Sequence, residues 1–481
     1  MKLHAHFYFQ RRLFLLVLFL LLGLALACSR PRNDDHSTIK IGFFGDLSGP
    51  TFNFGQSAMN GVLMAADEIN QAGGINGHPL DIVMEDDRGS PEMAAQVTGK
   101  LIDRDKVIAI IGAGASGNSL AAAPKAQSAH IPLIAPSSTN PAVTQAGDYI
   151  FRACFIDAFQ GEVMAKFAAN TLKAKKAAIM LDFNSPYSRG LTEYFEFGFA
   201  KLDGLIVVKQ SYSQGDADYR GQLSLIKAAS PDVIYIPGYY GDVAIIAKQA
   251  RQLGLTQPLL GADGWDAPEL WELGGDALNG CYISNHYSVD DPSENIHQFV
   301  HDYRQRFGNL TPDAHAALAY DALRFLVEAI RKAGTIEGPK LRDALAETKN
   351  FAGVTGIISM DRNRNAVKPA VILKLEDTRY IYQETIQPAP EASPRRAGDQ
   401  AIFRRADRNN DADDRAGPAY RKHGIGSGTR LRGAAHLLHF YYSLDAAARF
   451  LAVELHWSGG CDRAVLHGDV LPPRRDVRSG A

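Results

Sequence analysis

From Thr38 to about Gln387 the chain alternates short apolar runs with longer amphipathic ones. Ile39-Lys40-Ile41-Gly42-Phe43-Phe44 predicts a strand. Residues 55–71 place Val62, Leu63, Ala66 and Ile69 at helical spacing and stop at Gly73-Gly74. Residues 80–84 predict a second strand, and residues 91–103 a helix with Pro91 in its first turn. A third strand at 107–111, a helix at 120–129 and a fourth strand at 131–135 follow. This β-α-β-α order implies a parallel sheet covered by helices on both faces.

The pattern then repeats. Strands are predicted at 177–181, 206–210, 233–236 and 259–260, with helices at 190–201, 219–228 and 242–253 between them. The change-over lies near 155–161, and a further helix is predicted at 314–332. Two such units facing each other leave a cleft at their strand ends, where loops after parallel strands bind ligands.

Composition narrows the classes. The 481 residues are 46% hydrophobic and 22% charged, enough for more than one core. A net charge of −2 supplies no basic field for nucleic acid, so no nucleic-acid partner is expected. The four cysteines, Cys28, Cys154, Cys281 and Cys461, lack metal-ligand spacing and are too few for a disulfide framework; no metal and no cofactor is expected.

Both ends differ from the middle. Arg11-Arg12 precede an apolar run from 13 to 27, shorter than the ~20 residues of a membrane span, with small residues at its end. That is the layout of a secretory signal. Ala25-Leu26-Ala27-Cys28 resembles a bacterial lipobox, with Ala and Leu in the reverse of the usual order. The resemblance implies a signal peptide over 1–28 and lipidation of Cys28; a plain cleaved leader or an uncleaved anchor would also export the chain. Residues 29–37 read as a polar tether. After Ile386 come Pro388, Pro390 and Pro394, then arginine pairs with Lys422 the only lysine; 388–481 reads as a disordered Arg-rich tail, a small extra domain being the alternative.

The chemistry-bearing motifs sit after predicted strands. Gly112-Ala113-Gly114-Ala115-Ser116-Gly117 fits G-x-G-x-x-G. It follows the third strand rather than the first, and no acidic residue ends the next strand, so a dinucleotide reading fails. What remains is a glycine-rich turn at a helix N-terminus, where unbonded N–H groups and the hydroxyl of Ser116 favour an anion such as a carboxylate; an N-capping serine is the plainer reading. Ser137, Ser138 and Thr139 follow the next strand and open toward a helix in the same way, within turn chemistry that is also ordinary. Asp263, in Gly261-Ala262-Asp263-Gly264-Trp265, is a candidate acceptor for a ligand ammonium or a solvated turn residue. Tyr187 and Tyr239-Tyr240 are aromatic residues suited to wall a cleft or to pack. Enzyme signatures are missing: no G-x-S-x-G, H-E-x-x-H, Walker loop or matched nucleophile and base.

Taken in order, Ile41-Gly42, Leu47-Ser48-Gly49-Pro50, Gly73-Gly74-Ile75-Asn76-Gly77, Asp86-Asp87, Thr139-Asn140-Pro141, Phe151-Arg152, Gln160-Gly161, Gly238-Tyr239-Tyr240 and Tyr320-Asp321-Ala322 resemble branched-chain amino-acid binding proteins, the solute receptors of ABC importers. The likeness spans about Thr38 to Gln387. It implies a type I periplasmic binding protein fold, two Rossmann-like lobes joined by a three-segment hinge. Lobe 1 would hold 38–157 and 287–359, and lobe 2 158–286 and 360–387. It further implies that Ser116, Ser137 and Thr139 hold a ligand carboxylate and that Asp263 holds its ammonium, where the family often has Glu. Phe54, Tyr187 and Tyr239 match its aromatic positions. Gly114 and Ala115 are smaller than the residues usual beside the serine, leaving room for a bulkier ligand side chain. The implied function is capture of an amino acid and delivery to a membrane permease. A sensory receptor, or a receptor for an amide, urea or aromatic acid, remains the alternative; an exported hydrolase is the third reading.

Overall fold

The computed structural model describes residues 38–112 and 114–388. The leader over 1–28 with Cys28, the tether over 29–37 and the tail beyond Pro388 lie outside the described residues.

Lobe 1 is built on β1 (Ile39–Gly45), β2 (Leu80–Asp86), β3 (Ala109–Ile111), β4 (Leu133–Ala135) and β5 (Ile150–Arg152). They form a five-stranded parallel sheet in the order β2-β1-β3-β4-β5. Ile39, Ile41 and Phe43 of β1 point to one face and Phe44 to the other. The first face is covered by the Phe52–Gln71 and Ala314–Ala333 helices, the second by the Pro91–Asp103 and Ser116–Ala129 helices. Burial on both faces is why the inner strands read as apolar runs rather than alternating ones. Gly61 lets the first two helices meet: a Cβ there would lie 2.1 Å from the carbonyl oxygen of Ala316.

Lobe 2 repeats the plan with β6 (Lys176–Asp182), β7 (Leu205–Tyr212), β8 (Val233–Tyr235), β9 (Leu259–Gly261) and β10 (Cys281–Asn285). The chain then returns to lobe 1 and forms a small sheet from β11 (Phe351–Gly353), β12 (Gly356–Met360) and β13 (Ala366–Val367). It finally adds β14 (Ala370–Glu376) and β15 (Arg379–Ile386) to lobe 2, giving the order β15-β14-β10-β9-β8-β6-β7, in which β10 pairs antiparallel with β14 and β14 with β15.

This topology makes three passages between lobes. The first follows β5 and enters the Asp157–Lys166 helix; the second follows β10. The third corrects the expected boundary at 359/360. Met360 and Ala366 are packed in the apolar cluster of lobe 1, so the passage falls at Lys368-Pro369, just before β14. Among the described residues no helix is long and apolar enough to cross a membrane.

Helix starts follow local chemistry. Ser90 accepts from the Met93 N–H and precedes Pro91; Ser185 accepts from the Ser188 N–H and precedes Pro186; Asp313 accepts from the Ala316 N–H at 2.9 Å.

Candidate functional site

In both sheets the strand order reverses at a switch point, beside β1 in lobe 1 and β6 in lobe 2. Loops leaving the strand C-termini there face the crevice where open α/β sheets bind ligands. The seven residues singled out from the sequence all lie on these loops or on the helical turns they lead into.

Phe54 sits in the first turn of the Phe52–Gln71 helix, almost fully buried. The loop before it is shaped by two carboxylates. Asp46 accepts from the N–H of Gly49 and Thr51 and from the Thr51 hydroxyl, and Asp86 from the Leu47 N–H and the Ser48 hydroxyl. Asp87, pushed up to about 6 by burial above all, accepts from the Gly89 N–H. These three carboxylates come within 4.8 Å of one another. Among the described residues they are the one group spaced to hold a metal; loop donors meet Asp46 and Asp86, while one buried oxygen of Asp87 has no hydrogen-bond partner.

The other two lobe 1 loops are tied together. Ser116 is the first helical residue after the N-cap Ala115, and its hydroxyl accepts from the Asn140 N–H at 3.2 Å. The Ser119 and Ser138 hydroxyls are 2.8 Å apart. Arg152, wholly buried, donates to the carbonyls of Ser138 at 2.7 Å and Asn140 at 2.8 Å. Ser137 Oγ lies 3.0 Å from Nδ1 of His315, and the buried Thr139 hydroxyl lies beside the Asp157 carboxyl. A guanidinium-stapled backbone therefore presents Ser137 and Thr139 next to the helix start carrying Ser116.

Lobe 2 supplies a buried anion. Asp263 begins a short 3₁₀ turn directly after β9 and is 2% exposed. Its Oδ1 accepts from Tyr187 Oη at 2.7 Å and Gln160 Nε2 at 2.9 Å, and its Oδ2 faces His286 Nε2 at 3.1 Å. Tyr187 Oη in turn accepts from the Gly264 N–H. A Cβ at Gly264 would come within 2.7 Å of the Gly238 carbonyl oxygen and 2.9 Å of Tyr187 Oη, so only glycine fits there. Tyr239 stacks on Tyr187, with centroids 5.0 Å apart and planes 8° from parallel.

The electrostatics divide sharply. Burial pushes Asp263 up, but the hydrogen bonds led by His286 outweigh it and hold the carboxyl below its ordinary value. Burial pushes His286 down to about 4. At neutral pH Asp263 is therefore an ion held by neutral donors, and no lysine or arginine bonds it among the described residues. Asp157, nearby, is pushed up to about 8, first by burial and then by the charge of Asp263, against the Thr139 hydroxyl and Arg152.

The two walls meet. Phe54 packs edge-on against Tyr239 and Tyr240, with centroids 5.8 and 5.1 Å apart. Asn53 donates to Tyr240 Oη, which donates to the Pro50 carbonyl, and Asn140 donates to the Pro186 carbonyl at 2.8 Å. Between the walls lies a cavity of about 260 Å³ lined by Thr51, Ala115, Gly117, Ser185, Pro186 and Tyr239 among others. This is a closed arrangement of the lobes.

Gln160, His286, His315, Arg152 and Asp157 were not singled out as site residues. Gln160 and Arg152 lie within the stretches that carry the family likeness, which was the available signal. His286 follows β10, a strand the pattern did not predict. The Ser137–His315 contact has the look of a nucleophile and base. Among the described residues no carboxylate bonds the other ring nitrogen of His315, and burial pushes that ring down to about 4.

The profile of a family described as periplasmic binding protein matches residues 38–379. A leucine-, isoleucine-, valine-, threonine- and alanine-binding protein of Pseudomonas aeruginosa is 29% identical over 326 residues, 67% of this chain and 86% of that one. The crystal structure of a leucine-binding protein, LivK, from Thermotoga maritima is similar at 38% identity with a TM-score of 0.70, covering 73% of this chain and 99% of that one. A solute-binding protein of an ABC transporter from Rhodopseudomonas palustris, solved with 3,4-dihydroxybenzoic acid, is 27% identical with a TM-score of 0.66, covering 73% and 97%.

Proposed function

We propose that this chain, which belongs to the periplasmic binding protein family, is an exported receptor that closes its two lobes on an amino acid and hands it to an ABC permease. The observation that carries the reading is Asp263, a buried carboxylate whose protein partners are all neutral. Removing an ion from water without a counter-charge is costly. A solute ammonium supplies that charge. The stapled hydroxyls and helix-start N–H groups around Ser116, Ser137 and Thr139 suit the carboxylate at the solute's other end. The aromatic rings of Phe54, Tyr187 and Tyr239 exclude water between them. Closure follows from the same balance, since the zwitterion is fully paired only when both lobes contact it.

The rival reading, an aromatic acid, is the one the Rhodopseudomonas palustris complex suggests. Asp263 argues against it, because an acid without an ammonium would place two like charges in one buried site. The family is one of binding proteins, and we assign the chain no catalysis. Export and a lipid anchor at Cys28 belong to the same proposal; they rest on the basic flank, the short apolar run and the lipobox-like Ala25-Leu26-Ala27-Cys28.

Calorimetry on the purified chain tests the reading. Asp263→Ala is expected to abolish amino-acid binding while leaving the fold intact, since breaking a desolvated charge pair costs roughly 2–5 kcal/mol. Unchanged affinity would remove Asp263 from the site.

A further inference from the structure

Two buried imidazoles touch residues of the candidate site. His315, 3% exposed, occupies the first turn of the Ala314–Ala333 helix behind the capping Asp313. Its ring lies flat on Phe54, with centroids 3.9 Å apart and planes at 25°, and its Nδ1 is 3.0 Å from Ser137 Oγ. His286, also 3% exposed, lies flat on Phe155 at 3.8 Å and meets Asp263 through Nε2. The charge of Asp263 reaches His315 as well.

Each ring has a second nitrogen. Nε2 of His315 and Nδ1 of His286 are buried and have no hydrogen-bond partner among the described residues. Native interiors rarely leave such atoms unmet. Both rings are clamped by a stacked neighbour and one hydrogen bond, so neither turns easily to find a partner. Their proton positions follow from what they touch. Asp263 is ionised, so Nε2 of His286 carries the hydrogen and Nδ1 offers a lone pair. Nε2 of His315 offers a hydrogen if Ser137 donates to Nδ1, and a lone pair if Ser137 keeps its proton for the solute. Beside this ring the wall is small: a Cβ at Gly114 would sit 3.4 Å from Phe54 Cβ and 3.8 Å from Ser137 Oγ.

We infer that His315 and His286 form a polar subsite for the solute's side chain, so that the solute is an uncharged amino acid bearing a hydroxyl or a carboxamide rather than a purely aliphatic chain. The inference rests on the amino-acid reading above. A hydroxyl or carboxamide both donates and accepts, and so matches either proton position of His315. A second carboxylate would face the lone pair of His286 and the charge of Asp263. An aliphatic chain would leave both nitrogens bare. A site built to hydrogen-bond a polar group discriminates strongly against the analogue lacking it, by about ten- to a hundredfold for each buried group left unmet.

Isosteric pairs isolate the effect. Threonine against valine, and asparagine against leucine, differ in polarity at nearly constant shape. Calorimetry on the purified chain is expected to favour the polar member of at least one pair by about tenfold or more. His315→Phe, which keeps the stack on Phe54, is expected to bring that ratio close to one. Valine and leucine binding as tightly as their polar partners in the unaltered chain would overturn the inference, and so would a polar preference undiminished in a folded His315→Phe variant. If that variant does not fold, the unaltered chain's two ratios decide alone. Failure of every amino acid to bind would instead overturn the amino-acid reading, and this inference with it.

Discussion

Asp157 shows how far a single environment can move a carboxyl group. Its value is pushed up to about 8, by burial first, from an ordinary 3.8. Between those values the folded chain holds a proton that the unfolded chain sheds, so its contribution to stability falls as pH rises through the window. Asp313, also pushed up to about 8 chiefly by burial, acts with the same sign. His286 and His315, pushed down to about 4 from 6.5, act with the opposite sign, but only below 6.5. From pH 6.5 to 8 the two aspartates therefore dominate this group. The melting temperature is expected to fall over that interval, and Asp157→Asn to flatten part of the fall; an equal slope in the variant would contradict the assignment. The sequence displayed Asp157 and Gln160 but not their burial, because both belong to an inter-lobe passage whose packing is set by residues far away in the chain. Asp263 was legible as a candidate because it follows an apolar strand. That its partners would be Gln160, Tyr187 and His286, drawn from three separate segments, was not.

Elements were legible where burial is uniform and local signals agree. The helix predicted at 91–103 has those bounds in the structure, because Ser90 and Pro91 start it and its apolar spacing is regular. Strands β6, β8 and β9 were visible as buried apolar runs, and the half-exposed β7 through Ile206, Val207 and Val208. The helix predicted from 190 begins earlier, at Pro186, with Ser185 capping it, which moves Tyr187 from a loop onto a helix. Strands β11 to β13 escaped because they are two to five residues long and half exposed, so neither period two nor a continuous apolar run stands out. That omission also misplaced the third passage. Packing of the Phe52–Gln71 helix on the Ala314–Ala333 helix is closest at Gly61. Gly61→Val would drive a branched side chain into the backbone of Ala316 and is expected to cost at least about 2 kcal/mol, read as a lowered urea midpoint. An unaffected midpoint would mean that the helices separate freely.

At the scale of the whole molecule, two sheets with reversed strand order aim their loop clusters at one crevice, and three passages of the chain join them. The β-α alternation and its restart near 155–161 carried this architecture openly. The antiparallel addition of β14 and β15 did not show, since nothing local tells a strand which sheet it will join. The Asn140–Pro186 and Tyr240–Pro50 contacts hold the crevice shut. Both join a polar side chain to a backbone carbonyl near the opening, contacts that water can replace at small net cost. In the proposed reading, solute pairing rather than these contacts drives closure.

A crystal structure of the chain with its amino acid bound tests the account most directly. The account places the solute's ammonium at hydrogen-bond distance from Asp263 and its carboxylate against Ser116 and Thr139, between lobes in contact. A solute lying elsewhere, or one bound here with nothing cationic facing Asp263, would contradict it.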